Sequence, residues 1–153
     1  MMNLRYVRND NDLYQYEVAK ILGVAKSTYS LWETEENIIP LKRLILFCNY
    51  FDVSVDFVLG LSETIKYPNM KNSIDYKEHI KRLRKVRKLN CYTQTELANL
   101  LHTDNGVISR YENGKNLILT SFLIEYSKIF NISCDYLLTR IDEKVKLKIH
   151  VNN

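Results

Sequence analysis

Residues 1–60 of this chain align with residues 80–139 without a gap, at a constant offset of 79. Nineteen of the 60 pairs are identical, among them Leu4/Leu83, Arg5/Arg84, Gln15/Gln94, Glu17/Glu96, Ala19/Ala98, Leu22/Leu101, Ser30/Ser109, Glu33/Glu112, Phe51/Phe130, Asp56/Asp135 and Leu59/Leu138. Chance likeness between unrelated helical segments does not hold one register over such a length, so the chain is two copies of one unit. At 153 residues, that means two small domains rather than one of medium size.

Each copy reads as about five short helices. With only four Gly and two Pro, the chain favours short helices joined by tight connections. In the second copy Asp75 starts a helix through Lys88, with Glu78 at the capping-box position and Ile80, Leu83 and Val86 at helical spacing. Thr93-Gln-Thr-Glu96 is a capping box for a second helix, which turns Leu97, Ala98, Leu100 and Leu101 inward and ends near His102. Asp104 caps a third helix, Thr120 to Phe130 forms a fourth, and Ser133 to Leu138 a short fifth. The first copy follows the same plan, but Met1 aligns with Ile80, so its first helix lacks a turn.

Hydrophobic residues at 46% and charged residues at 26% argue against disorder. Cys48, Cys91 and Cys134 are odd in number and lack a CxxC pair, which argues against a disulfide framework or zinc site and for a reducing cytoplasm. Cys48 and Cys134 lie among apolar residues and read as small core side chains. The most apolar stretch, Leu41 to Leu61, carries Lys42, Arg43, Asp52 and Asp56 and is no membrane span, and no signal peptide is expected. His79, His102 and His150 have no metal-ligand spacing, and no nucleophile–base pair or phosphate loop appears. Neither an enzyme, a metal nor a cofactor is expected.

Charge separates the copies. Residues 1–61 carry a net −2, residues 62–139 a net +4, and 140–153 a further +2. A polyanion would meet the second half more favourably.

Thr93-Gln-Thr-Glu-Leu-Ala98, Val107-Ile-Ser-Arg-Tyr-Glu-Asn-Gly-Lys115 and Phe130-Asn-Ile-Ser-Cys-Asp-Tyr-Leu-Leu138 resemble, in order, the Cro/phage-repressor (XRE-type) helix-turn-helix family. So do Gln15-Tyr-Glu-Val-Ala19, Gly23-Val24, Ser27-Thr-Tyr-Ser-Leu-Trp-Glu33 and Val53-Ser-Val-Asp-Phe-Val-Leu-Gly60 of the first copy. The implied fold is all-α: two tandem five-helix, lambda-repressor-like DNA-binding domains at 1–61 and 75–139. A linker at 62–74 and a basic tail at 140–153 complete the chain. Ala19 and Ala98 are small where the second and third helices cross. Gly23 suits a left-handed turn, and His102 stands there in the second copy. Glu33 and Glu112 read as structural acceptors, and Asp56 and Asp135 as braces of the fifth helix.

The resemblance implies a third helix entering the major groove with its N-terminal residues at base edges. The base-facing set is then Asn105, Gly106, Val107 and Arg110 in the second copy, and Lys26, Ser27, Thr28 and Leu31 in the first. Asn105 suits adenine and Arg110 guanine; a solvated charge or an internal salt bridge is the competing reading for Arg110, and half-burial that for Val107. Gln15 and Gln94 would face phosphates at the start of the second helix, joined by Thr93, Asn113 and Lys115. Lys81, Arg82, Arg84, Lys85, Arg87 and Lys88 are expected to spread over the exposed arc of the first helix, as phosphate contacts or a solvated face.

The first copy departs from the pattern where it would meet DNA. Arg110 becomes Leu31, Gly114 and Lys115 become Glu35 and Glu36, and Ala25 replaces the capping Asp104. Either it contacts DNA weakly through Lys26 and Ser27, or it has become a dimerisation or partner-binding face. In the tail, Lys144-Val-Lys-Leu-Lys-Ile-His-Val151 alternates polar and apolar residues and reads as a half-buried β-strand, against a frayed tail or helix extension. Its partner would be Thr64-Ile-Lys-Tyr67 or the tail of a second copy of the chain. The expected function is a cytoplasmic, sequence-specific transcriptional regulator binding double-stranded operator DNA, as a covalent pseudo-dimer or as a homodimer through its first domain or tail. The competing reading is an antitoxin-like adaptor.

Overall fold

A computed structural model describes residues 1–147. Among the described residues ten α-helices follow one another in two compact units, the first Met1–Pro68 and the second beginning at Asn69. The first holds α1 (Leu4–Asp10), α2 (Gln15–Leu22), α3 (Lys26–Glu33), α4 (Leu41–Phe51) and α5 (Val55–Val58). The second holds α6 (Tyr76–Leu89), α7 (Gln94–Leu100), α8 (Asn105–Glu112), α9 (Thr120–Phe130) and α10 (Cys134–Leu137). Among the described residues there is no strand, and no helix is long and apolar enough to cross a membrane.

The repeat extends to the backbone. Left-handed residues fall at matched positions in both units: Asp12 and Cys91, Gly23 and His102, Glu35 and Gly114, Asp52 and Asn131, Gly60 and Thr139. Each pair ends a helix or turns the loop after it, so the chain turns at the same five places. Most side chains reach that conformation only at some cost. That only one unit has glycine at three of these pairs, and neither at two, shows that packing around the turns imposes it.

Matched side chains fill the two cores. Leu4, Val18, Tyr29, Leu44, Phe47 and Val58 are buried in the first unit, and Leu83, Leu97, Ile108, Leu123, Tyr126 and Leu137 at the matching positions of the second. Burying each such side chain contributes about 1.5–3 kcal/mol. Cys48 and Cys134 are buried and unbridged, as expected of small core residues. Ala19 and Ala98 are buried where α2 meets α3 and α7 meets α8. Leu100, expected to point inward, is 46% exposed. At 3.6 residues per turn it stands about 100° from the face shared by Leu97, Ala98 and Leu101.

The first helices differ most. α6 is 14 residues long and α1 only 7, because α6 begins two turns earlier. Asp75 caps it, accepting the Glu78 N–H at 3.1 Å. The reciprocal half of that box does not form, since the Asp75 N–H goes to Thr139 Oγ1 at 2.8 Å and Glu78 pairs with Arg82. The added turns dock on α10. His79 Nδ1 lies 2.7 Å from the Leu137 carbonyl, while Arg82 donates to the Tyr136 and Ile141 carbonyls at 2.6 and 2.8 Å and lies over the Tyr136 ring. In the first unit, Asn3 takes the place of Arg82 and donates to the Phe57 carbonyl at 2.8 Å. Arg82 and Arg87 are therefore buried, not part of the exposed arc. A guanidinium on a long stem reaches carbonyls and carboxylates that lysine at those positions would not satisfy.

Both units close with a segment tied back to the start of the last helix. The Ser54 N–H donates to the Ile65 carbonyl at 2.6 Å, and the Ser133 N–H to the Val145 carbonyl at 2.9 Å. Tyr67 and Leu147 are buried just beyond. The repeat thus continues past the fifth helix with one residue inserted. Thr64 and Tyr67 are occupied inside the first unit, through Ser54 Oγ and Asp56. The strand expected over Lys144–Val151 is absent from its described half, which is tied to the N-terminus of α10; residues 148–151 lie outside the described residues.

Candidate nucleic-acid interface

In each unit the second and third helices are held together by a buried carboxylate. Glu112 accepts two bonds from Arg87, at 2.7 and 3.2 Å, and one from Gln94 at 2.7 Å. Glu33 accepts from Arg8 at 2.6 and 3.1 Å and from Gln15 at 2.8 Å. Three elements meet at that one side chain, so the angle of each third helix is set by a charge-assisted, forked pair. Burial alone would discourage ionisation of Glu33, but the bonds from Arg8 and Gln15 outweigh it and hold its carboxyl below the usual range. Sequence reasoning identified the glutamates as acceptors and missed the arginines. The signal was present: Arg8/Arg87, Gln15/Gln94 and Glu33/Glu112 are all identical pairs in the repeat.

From that anchor, α8 presents its opposite side to solvent. Ile108, Tyr111 and Glu112 face inward, and Gly106 and Arg110 stand about opposite them on the helical wheel. Asp104 caps the helix, accepting the Val107 N–H at 3.1 Å. Asn105 is exposed, and its amide reaches Thr95 Oγ1 at 3.5 Å. Val107 is half-buried. Arg110 is exposed, and no carboxylate pairs with it among the described residues. Its guanidinium leans back over Gly106, where a Cβ would sit 3.2 Å from Nη1 and 2.9 Å from the Asp104 carboxylate.

Flanking α8 are the residues expected at phosphates. Thr93 Oγ1 accepts the Glu96 N–H at 3.1 Å, which leaves its hydroxyl hydrogen for an outside acceptor. Gln94 uses one amide hydrogen on Glu112 and keeps the second. Asn113 Oδ1 accepts the Lys115 N–H at 3.0 Å, shaping the turn and leaving the Asn113 amide as a donor. The Lys115 side chain is exposed.

The same positions in the first unit are chemically different. Lys26, Ser27 and Thr28 are exposed and Leu31 half-buried. Ala25 provides no side-chain cap to α3. Gln15 is spent on Glu33 as Gln94 is on Glu112. Tyr14 and Tyr16 are exposed and stacked, with centroids 5.8 Å apart, where the second unit has Thr93 and Thr95. Glu35 and Glu36 are both exposed. Among the described residues no group of three or more His, Cys, Asp or Glu is placed to hold a metal ion.

Comparison with known proteins agrees with this architecture. Residues 4–58 match a family model described as helix-turn-helix, and residues 80–143 one described as a helix-turn-helix domain. The chain is 38% identical over 60 residues to a protein of Bacillus subtilis (strain 168) named "Uncharacterized HTH-type transcriptional regulator YobD", covering 39% of this chain and 54% of that one. It is 40% identical over 58 residues to the "HTH-type transcriptional regulator ImmR" of the same organism, covering 38% and 46%. The chain thus spans about half the length of these curated relatives. No solved structure matches it significantly. Both halves are helix-turn-helix domains, and the chain belongs to the Cro/phage-repressor (XRE-type) helix-turn-helix family, carrying its domain in two tandem copies.

Proposed function

We propose that this chain is a cytoplasmic, sequence-specific transcriptional regulator that binds operator DNA through its second domain. α8 enters the major groove, and Asn105, Gly106 and Arg110 meet base edges while Thr93, Gln94, Asn113 and Lys115 hold phosphates. The observation that carries this reading is the division of labour on α8. Its inner face is spent on the core and on the Arg87–Gln94–Glu112 anchor, whereas Arg110 on its outer face has no ionic partner among the described residues. A free guanidinium opposite a rigid anchor suits bidentate contact with guanine, worth about 1–3 kcal/mol of discrimination. Occupying an operator in this way would block or recruit polymerase. The test is binding to sites selected from a random duplex pool. Arg110→Ala is expected to relax sequence preference, and unchanged preference would refute the assignment of α8.

A second reading applies to the first domain. Glu35 and Glu36 stand where Gly114 and Lys115 stand in the second, and two exposed carboxylates repel phosphate. Together with the exposed Tyr14–Tyr16 stack, they favour an auxiliary or protein-binding role for this domain, including homodimerisation. Sedimentation of the full chain with and without Tyr14→Ser and Tyr16→Ser tests it; identical self-association in both would count against a role for that face.

A further inference from the structure

Five cations of α6 fall in one line. Lys77, Lys81, Arg84, Lys85 and Lys88 are all exposed, and at 100° per residue they occupy an arc of about 100°. The line runs for about 16 Å along the helix, at 1.5 Å per residue. None of the five forms an ion pair among the described residues; the acidic residue of α6, Glu78, at the edge of the arc, is paired with Arg82. Like charges spaced by four, such as Lys77, Lys81 and Lys85, destabilise a helix. The packing of the domain does not require them: Arg82 and Arg87 supply the internal contacts, and the aligned first unit has Met2, Tyr6 and Asn9 in place of Lys81, Lys85 and Lys88.

The line borders the DNA-facing surface along its middle turns. Arg84 Nη2 donates to the carbonyl of Glu112, the last residue of α8, at 3.3 Å. The Asn113–Lys115 turn rests on the same helix, since a Cβ at Gly114 would lie 3.6 Å from Ile80 Cδ1. Toward the C-terminal end, buried Arg87, beside the line, donates through Nη1 to the Tyr92 carbonyl at 2.8 Å, next to the Thr93 cap. The basic line is therefore continuous with both groups of phosphate-facing residues.

Resting on the DNA-binding reading above, we propose that the Lys77–Lys88 face of α6 is a second phosphate-tracking surface, which follows the backbone of duplex flanking the base-read segment. A 16 Å line matches about five base pairs at 3.4 Å each along one strand. The contact is sequence-independent, so it adds affinity and salt dependence without changing the preferred bases.

The test compares the full chain with a Lys77→Gln/Lys81→Gln/Lys85→Gln/Lys88→Gln variant on two duplexes: a site selected from a random pool, trimmed to its base-specific core, and the same core with about ten added base pairs on each side. On the long duplex the variant is expected to lose about 2–4 from the slope of log affinity against log salt, at about 0.9 per phosphate released. On the core alone the two proteins should run together, with the same base preference. Removing like charges should leave the melting temperature unchanged or higher, so a lower one would assign the loss to unfolding and overturn the inference. Equal slopes on the long duplex, or an equal loss on both duplexes, would also overturn the flanking contact while leaving α8 as the reader. A wild-type chain that binds neither duplex at low salt overturns both readings.

Discussion

Glu112 and Glu33 each gather an arginine and a glutamine from two other helices, and the energetic consequence follows from their burial. Side-chain exposure is 1% at Glu112 and 8% at Arg87. Removing one partner of such a pair strands the other in low dielectric and costs about 3–5 kcal/mol. Glu112→Ala is expected to lower second-domain stability by that amount in denaturant titration, whereas Lys85→Ala should change it by less than about 0.5 kcal/mol. His79 gives a pH dependence of definite sign. Its burial beside Leu137, opposed by the bond to that carbonyl and reinforced by nearby Arg82, holds it below the ordinary value of 6.5. The folded domain therefore favours neutral imidazole, so its contribution is present above 6.5 and lost as pH falls through the lower folded value. Melting temperature should drop on acidification below about pH 6.5, and that segment of the profile should flatten in His79→Gln. These roles were only partly legible in the sequence. A basic run on a helix looks the same whether its arginines face water or carbonyls; which of them are buried depends on where α8 and α10 pack.

The ten helices were more legible than their side chains because each boundary has a local cause. Thr93, Asp104 and Ser133 each accept an N–H three residues on, and all three sit at starts expected from residue type and spacing. Asp104→Ala should therefore cost about 0.5–2 kcal/mol in the second domain, while Ala25→Asp should stabilise the first by a comparable amount. His102, left-handed at φ 55° where the first domain has Gly23, offers a further check. His102→Gly should raise second-domain stability by about 1 kcal/mol, relieving the left-handed cost of a side chain, as read from the denaturation midpoint. The closing segments were not legible as such. Alternation over Lys144–Val151 suggested a strand, but its described half is held by one bond from Ser133, which periodicity does not reveal. Thr64 to Tyr67, read as linker, carries the same bond in the first domain and shows the closing segment to be part of the repeat.

At the scale of the whole molecule, one ungapped duplication has produced two domains with the same backbone and opposite charge. The net −2 of residues 1–61 and +4 of residues 62–139 follow the exchange of Leu31 for Arg110, of Glu36 for Lys115, and of Met2, Tyr6 and Asn9 for lysines. That contrast was fully visible in the sequence; which cations remain available to a partner was not. Lys115→Ala should weaken binding to all duplexes about equally and lower the salt slope by about 1. The most direct measurement is selection of preferred sites from a random duplex pool by the wild-type chain, the Arg110→Ala variant and the Lys26→Ala/Ser27→Ala variant. A base-specific motif that Arg110→Ala erodes and Lys26→Ala/Ser27→Ala leaves intact is the expected result. A motif that survives Arg110→Ala, or one lost when Lys26 and Ser27 are removed, would contradict a chain that reads DNA through its second domain.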